Sequence, residues 1–268
     1  MSKITQTFHD AKANGNGVLI GYIMAGDPNL GSTLKIADAL IKGEVDILEL
    51  GLPFSDPIAD GPTIQAASVR ALAAGTTPIK VLKTAQQIKS KHDVPIVVMT
   101  YYNPVFRIGT DKFLTMAKEN LVDGMILPDL PFEEADDYRK TAKAHDLDTI
   151  FLAAPSTTNQ RLTKIVETSS GFLYLVSHYG VTGAKTKVED STVKLIKRVQ
   201  PFTAEKIPLA VGFGISKPEH VQRVIAAGAD AAIVGSAFIN ITQKDSLTML
   251  KDLQTTAQEL KAATKRSK

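Results

Sequence analysis

Gly212-Phe213-Gly214-Ile215-Ser216 and Gly235-Ser236-Ala237 each follow directly on a short apolar run, residues 207–211 and 231–234. Strand, glycine turn and helix, twice in succession, is how a (β/α)8 barrel builds a phosphate site after its seventh and eighth strands. Bare glycine backbone lets N–H groups approach an anion, and the helix that follows adds partial positive charge at its N-terminus. The pattern points to a phosphorylated small molecule as ligand. It also directs the search for chemistry to the C-terminal ends of the other strands.

Working outward, six further apolar runs precede these two, at residues 18–24, 45–50, 95–100, 124–127, 149–153 and 172–177. They are nearly all apolar rather than alternating, as parallel strands buried on both faces are. Amphipathic segments separate them, for example at 30–42, 111–119, 133–145, 192–199 and 218–227. Eight such repeats without a break in composition predict an α/β fold, a single (β/α)8 TIM barrel forming one domain over residues 1–268. A doubly wound open sheet is the structural alternative. Two helices are additional: one at 4–13, placed to plug the bottom of the barrel, and one at 63–73, ahead of 78–91 in the connection between the second and third strands. The connections at 53–62 and 179–190 are long and stand at the catalytic face as candidate lids.

The chain has 268 residues, 44% hydrophobic and 22% charged, which supplies ample core for such a domain. A net charge of +3 is too small to imply nucleic-acid binding. The basic stretch 261–268 reads as a solvated, fraying helix end. There is no cysteine, which excludes disulfides and thiol catalysis. None of the five histidines pair at metal-ligand spacing, so no metal is expected. No signal peptide or membrane-length apolar stretch is present, so the expectation is a cytoplasmic protein that engages no membrane.

Glu49 lies inside an otherwise apolar strand, Ile47-Leu48-Glu49-Leu50. A carboxylate there costs several kcal/mol unless it is paired, protonated or used. It is either a structural charge with a cationic partner or an acid/base raised in pKa by its apolar site. Asp56 and Asp60 follow in the loop Pro53-Phe54-Ser55-Asp56-Pro57-Ile58-Ala59-Asp60-Gly61-Pro62. Turn and cap chemistry explains an Asp before Pro or Gly. Asp60 stands out because it leaves Glu49's own strand, and two carboxylates in different environments can divide acid and base roles. Tyr174 on the sixth strand reads as core or as an active-site hydroxyl. His178 just beyond it is an acid/base or simply exposed. Gly180-Val181-Thr182-Gly183-Ala184 opens the long loop that could close over a ligand. Asn103-Pro104 and Pro128-Asp129-Leu130-Pro131 read as rigid, proline-framed turns.

These segments together resemble the alpha subunit of tryptophan synthase. The likeness is carried by Gly26-Asp27-Pro28, by the long segment from Glu49 to Gln65, by Gly180-Val181-Thr182-Gly183 and by the two glycine turns, in the right order over nearly the whole chain. The long segment is specific; the glycine turns alone fit several phosphate-binding barrels. The resemblance implies retro-aldol cleavage of indole-3-glycerol phosphate to indole and glyceraldehyde 3-phosphate, a carbon–carbon lyase reaction in tryptophan biosynthesis that uses no metal, Schiff base or organic cofactor in this chain. It implies that Glu49 is the acid/base and that Asp60 accepts the indole N–H. It places Tyr174 in the active site, Tyr22 and Phe213 against the indole, Thr182 on the catalytic Asp, and Gly183, Gly214, Gly235 and Ser236 on the phosphate. It implies an α2β2 heterotetramer with a beta subunit that holds pyridoxal phosphate and receives indole through a tunnel. The 53–60 loop, Asn103-Pro104 and the 128–131 turn would face that partner. The sequence departs from the family pattern at His178-Tyr179 and at Met24, where a threonine is common. Another phosphate-binding barrel enzyme and a non-catalytic regulatory subunit are the competing readings; the intact Glu49 and Asp60 argue against the second.

Overall fold

The computed structural model describes residues 1–176, 190–212, 214–244 and 247–266. Nine parallel strands form one sheet in the order β5-β4-β3-β2-β1-β9-β8-β7-β6. They are β1 (Val18–Met24), β2 (Ile47–Gly51), β3 (Ile96–Met99), β4 (Gly124–Ile126), β5 (Asp148–Ile150), β6 (Leu152–Ala153), β7 (Leu173–Val176), β8 (Leu209–Gly212) and β9 (Ala231–Val234). The two ends of this order, β5 and β6, are separated in the chain by Phe151 alone. The predicted fifth strand is therefore one run broken at that residue: its first part pairs with β4 and its second with β7. The sheet thereby comes round on itself as a nearly closed barrel, which sets aside the open-sheet alternative.

The apolar strands follow from burial on both faces. Inward residues such as Ile20, Ile47, Val97, Ile126, Ile150 and Ile233 fill the barrel. Their outward neighbours, Leu19, Leu48, Leu50 and Val98 among them, pack under the helices. This is the period-two alternation of a strand with an apolar environment on each side. The early helices fall where the patterns put them: α1 (Lys3–Ala13), α2 (Leu30–Lys42), α3 (Pro62–Ala73) and α4 (Pro78–Lys89). Helix α1 is the plug. Its Ile4 and Phe8 join the interior cluster, and the Phe8 ring lies 5.9 Å from that of Phe172.

One turn is corrected. Asn103 and Pro104 lie within helix α5 (Tyr102–Ile108) rather than in a turn. Pro104 is the third residue of that helix, where a backbone N–H has no intrahelical partner to lose. The remaining helices are α6 (Thr110–Glu119), α7 (Asp136–Ala144), α8 (Asn159–Thr168), α9 (Asp190–Thr203), α10 (Pro218–Ala226), α11 (Ser236–Thr242) and α12 (Met249–Ala262), with a 3-10 turn at Phe132–Glu134. Pro128 to Leu130 is a turn, as the prolines predict.

The C-terminal basic stretch is also corrected. Lys261 is no fraying end: its ammonium grips both carboxylate oxygens of Asp46 at 2.8 and 2.7 Å. Arg266 reaches Asp230 at 2.9 Å. Each aspartate stands just before a strand and accepts the amide hydrogen of its neighbour: Asp46 from Leu19 at 2.6 Å and Asp230 from Leu209 at 2.9 Å. Asp123, ahead of β4, repeats the device with Ile96 N–H and the Lys89 ammonium, both at 2.8 Å. Two residues before each aspartate the backbone turns left-handed, at Glu44, Leu121 and Gly228. The strand feet are thus capped and charge-paired, in keeping with a bottom face devoted to stability.

Candidate active site

At the opposite end of the barrel, a cavity opens among the strand C-termini. Its floor comes from alternation. On β2, Ile47 points inward, so Glu49 does too, one layer higher. On β1, Tyr22 stands in register with Glu49. Glu49, Asp60, Tyr22, Tyr174, Gly214, Gly235 and Ser236 all line this cavity, with Ile64, Met99, Ile215 and Ile233 as apolar wall. Seven residues singled out in the sequence are therefore brought together. Phe213, Thr182 and Gly183, as well as His178 and Tyr179, lie outside the described residues.

Glu49 is 1% exposed, and neither carboxylate oxygen has a hydrogen-bond partner among the described residues. No cation pairs with it among the described residues, so the purely structural alternative has no support. Burial raises its pKa to about 8, with the neighbouring charge of Asp60 as a second cause. Asp60 is raised to about 6, again by burial, against which a hydrogen bond from the Tyr101 hydroxyl acts. At neutral pH the two carboxyls occupy different states, Glu49 protonated and Asp60 ionised. Asp56 is not part of this pair: it is exposed and bonded to the Ser55 hydroxyl at 2.5 Å.

Asp60 is positioned by its loop. The Ala59 amide donates to the Tyr101 hydroxyl at 3.0 Å, and Gln65 Nε2 donates to the Asp60 carbonyl at 2.9 Å. Gly61 then caps α3, with Pro62 as the first helical residue. Tyr101 went unnoticed in the sequence. Its signal was its place, directly after the third apolar run and so at the catalytic face. Its ring also stacks on Phe54 of the same loop, 5.3 Å between centroids.

Two glycines make room for the tyrosines. A Cβ at Gly51 would stand 2.3 Å from the Tyr22 hydroxyl, and one at Gly212 would stand 2.6 Å from the Tyr174 ring. Both tyrosine hydroxyls have pKa values well above the usual phenol range, by burial first and then by the charges of Glu49 and Asp60. They remain protonated. At the rim, Gly214 has φ of 78°, and Gly235 caps α11 so that Ser236 opens that helix against the cavity. Exposed backbone N–H groups at this end suit an anion.

The sequence profile of the tryptophan synthase alpha chain matches residues 8–265. This chain belongs to the tryptophan synthase alpha chain family. A curated member from Methanosarcina mazei is 49% identical over 260 residues, covering 97% of this chain and 93% of the relative. Among solved structures, tryptophan synthase from Mycobacterium tuberculosis superposes with a TM-score of 0.90 at 37% identity, covering 99% of both chains. The tryptophan synthase complex from Pyrococcus furiosus gives 0.85 at 38% identity, covering 92% of this chain and 98% of that one. For a tryptophan synthase alpha chain, the cavity at the C-terminal mouth of the barrel is where the fold keeps its chemistry. Among the described residues, no group of three or more His, Asp or Glu side chains is placed to hold a metal, and no helix is long and apolar enough to cross a membrane.

Proposed function

We propose that this chain, as a single barrel domain, cleaves indole-3-glycerol phosphate to indole and glyceraldehyde 3-phosphate, the lyase half of tryptophan synthesis. The observation that carries the reading is Glu49: a buried carboxyl with no hydrogen-bond partner among the described residues, beside a second carboxyl in the cavity of a chain from this family. Glu49, protonated near neutral pH, donates its proton to C3 of the indole ring. Ionised Asp60 accepts the indole N–H and stabilises the positive charge that develops on the ring. Glu49, now a carboxylate, takes the proton of the glycerol hydroxyl next to the ring. The O–H electrons become the carbonyl, the carbon–carbon bond breaks, and its electrons restore the aromatic indole. The proton lent at C3 is balanced by the one taken from the hydroxyl.

Gly214, Gly235 and Ser236 bind the phosphate in this reading, together with Gly183, and Thr182 holds Asp60. Tyr22, Tyr174 and Phe213 surround the indole. Indole then passes to a beta subunit carrying pyridoxal phosphate, in an α2β2 complex; this chain needs no cofactor of its own. Ile58 at 77% and Phe106 at 67% exposure stand on the 53–60 loop and on α5, the segments assigned to that partner. The test is indole release by the purified chain, alone and with a beta subunit, alongside Glu49→Gln. Activity that rises with the partner and vanishes in the variant supports the reaction and the role of Glu49. No indole from a folded chain that still binds the partner points to a regulatory subunit. Activity that persists in Glu49→Gln keeps the reaction and removes Glu49 as its acid/base.

A further inference from the structure

Tyr22 brings more chemistry to the cavity than a wall requires. Its side chain runs between two glycines that close approach demands. A Cβ at Gly235 would lie 3.2 Å from Tyr22 Cδ1, and one at Gly51 would lie 2.3 Å from the hydroxyl. The ring base is thus at the β9 glycine turn, assigned above to phosphate, and the hydroxyl is at the end of β2, past Glu49. The residue is only 6% exposed and lines the cavity, with its hydroxyl at the end of β2 where the charges of Asp60 and Glu49 act on it. Phenylalanine would fill the same wall without bringing a hydroxyl to the cavity.

A substrate with its phosphate at Gly235 and its reacting carbon at Glu49 must lay the linker between them along this ring. In indole-3-glycerol phosphate that linker carries two hydroxyls. We propose that the Tyr22 hydroxyl hydrogen-bonds one of these linker hydroxyls and makes the site selective for a hydroxylated chain between ring and phosphate. The inference rests on the reaction proposed above. The phenol stays protonated beside two carboxyls, so it offers a neutral donor and an acceptor at one point. A site that bonds a substrate hydroxyl rejects the analogue lacking it, because the protein group is then left unpaired.

The experiment compares Tyr22→Phe with the unmodified full chain on two ligands. One is indole-3-glycerol phosphate, followed by indole release. The other is indole-3-propanol phosphate, with ring and phosphate but no linker hydroxyl, followed as a competitive inhibitor and by calorimetry. The expected result is a fall in kcat/KM of about tenfold, one neutral hydrogen bond, with affinity for the propanol compound unchanged. Equal losses on both ligands would make Tyr22 a wall only, and no loss on either would make its hydroxyl idle; both overturn the proposal. An unmodified chain that neither cleaves the first ligand nor binds the second overturns the reaction itself, and the inference with it. Gel filtration and thermal unfolding of Tyr22→Phe separate a site effect from a folding defect.

Discussion

The Tyr101 hydroxyl accepts the Ala59 amide hydrogen at 3.0 Å, fastening the residue before Asp60 to the end of β3. The same hydroxyl donates to the Asp60 carboxyl and holds its pKa down against burial. Tyr101→Phe removes both bonds and keeps the stacking on Phe54. The Asp60 pKa then rises above about 6, because a donor that favours the carboxylate is gone. The acid limb of the indole-release profile moves to higher pH. For each pH unit that the limb moves, the rate on it falls about tenfold, while the rate at pH 8 changes little. Measuring kcat/KM from pH 5 to 9 locates the limb in each protein; a uniform loss at every pH contradicts the expectation.

Glu49 also leaves a mark on stability. Its folded pKa of about 8 lies above the unfolded value, so the native chain binds the extra proton between these two values. Stability therefore falls as pH rises from about 4.5 to about 8 on account of this group. Glu49→Gln removes the titration. We expect the variant to match the parent in thermal midpoint near pH 4 and to exceed it increasingly up to pH 9. A gap of constant size across that range would show that Glu49 titrates as an ordinary carboxyl. A catalytic group that lowers stability is a familiar trade-off.

Much of this was legible in the sequence because parallel barrels write themselves in unbroken apolar runs. Residues 18–24 match β1 end to end, and α2 matches the 30–42 pattern. Glu49 stood out because it violates such a run. What stayed hidden depends on distant pairing. The aspartates before β2, β4 and β9 look like turn residues, and nothing local to Asp46 announces a partner 215 residues away. The basic C-terminus read as solvated for the same reason. Pro104 read as a turn because proline blocks helices only past their first turn, a distinction that a dipeptide does not carry. Tyr101 was missed because its role lies in a bond across a loop to Ala59.

The Lys261–Asp46 pair should behave as a partly buried charge pair does. Burial raises the Asp46 pKa more than Lys261 and the Leu19 amide lower it. Lys261→Met leaves that carboxylate uncompensated and should cost about 2–3 kcal/mol in urea unfolding. The cost shrinks at acidic pH, where Asp46 is protonated and the lost cation no longer matters. Asp46→Asn added to Lys261→Met should recover most of it, since asparagine's oxygen still accepts the Leu19 amide. A double variant no more stable than Lys261→Met alone would show that Lys261 acts by packing rather than by charge.

Gly51 should resist any side chain for a reason that lies on the neighbouring strand. A Cβ there would meet Tyr22 at 2.3 Å from its hydroxyl and 2.7 Å from Cζ. Backbone on one side and a ring seated against Gly235 on the other leave the tyrosine no small adjustment. Gly51→Ala is expected to cost about 1–3 kcal/mol, the usual penalty of overpacking. Combining it with Tyr22→Phe should recover little, because the Cζ contact survives loss of the hydroxyl. Combining it with Tyr22→Leu, which removes both atoms, should restore most of the stability but not indole release. Thermal unfolding of the three variants orders them by contact: if Tyr22→Phe rescues as well as Tyr22→Leu, the clash lies with the hydroxyl alone and the ring has room to move.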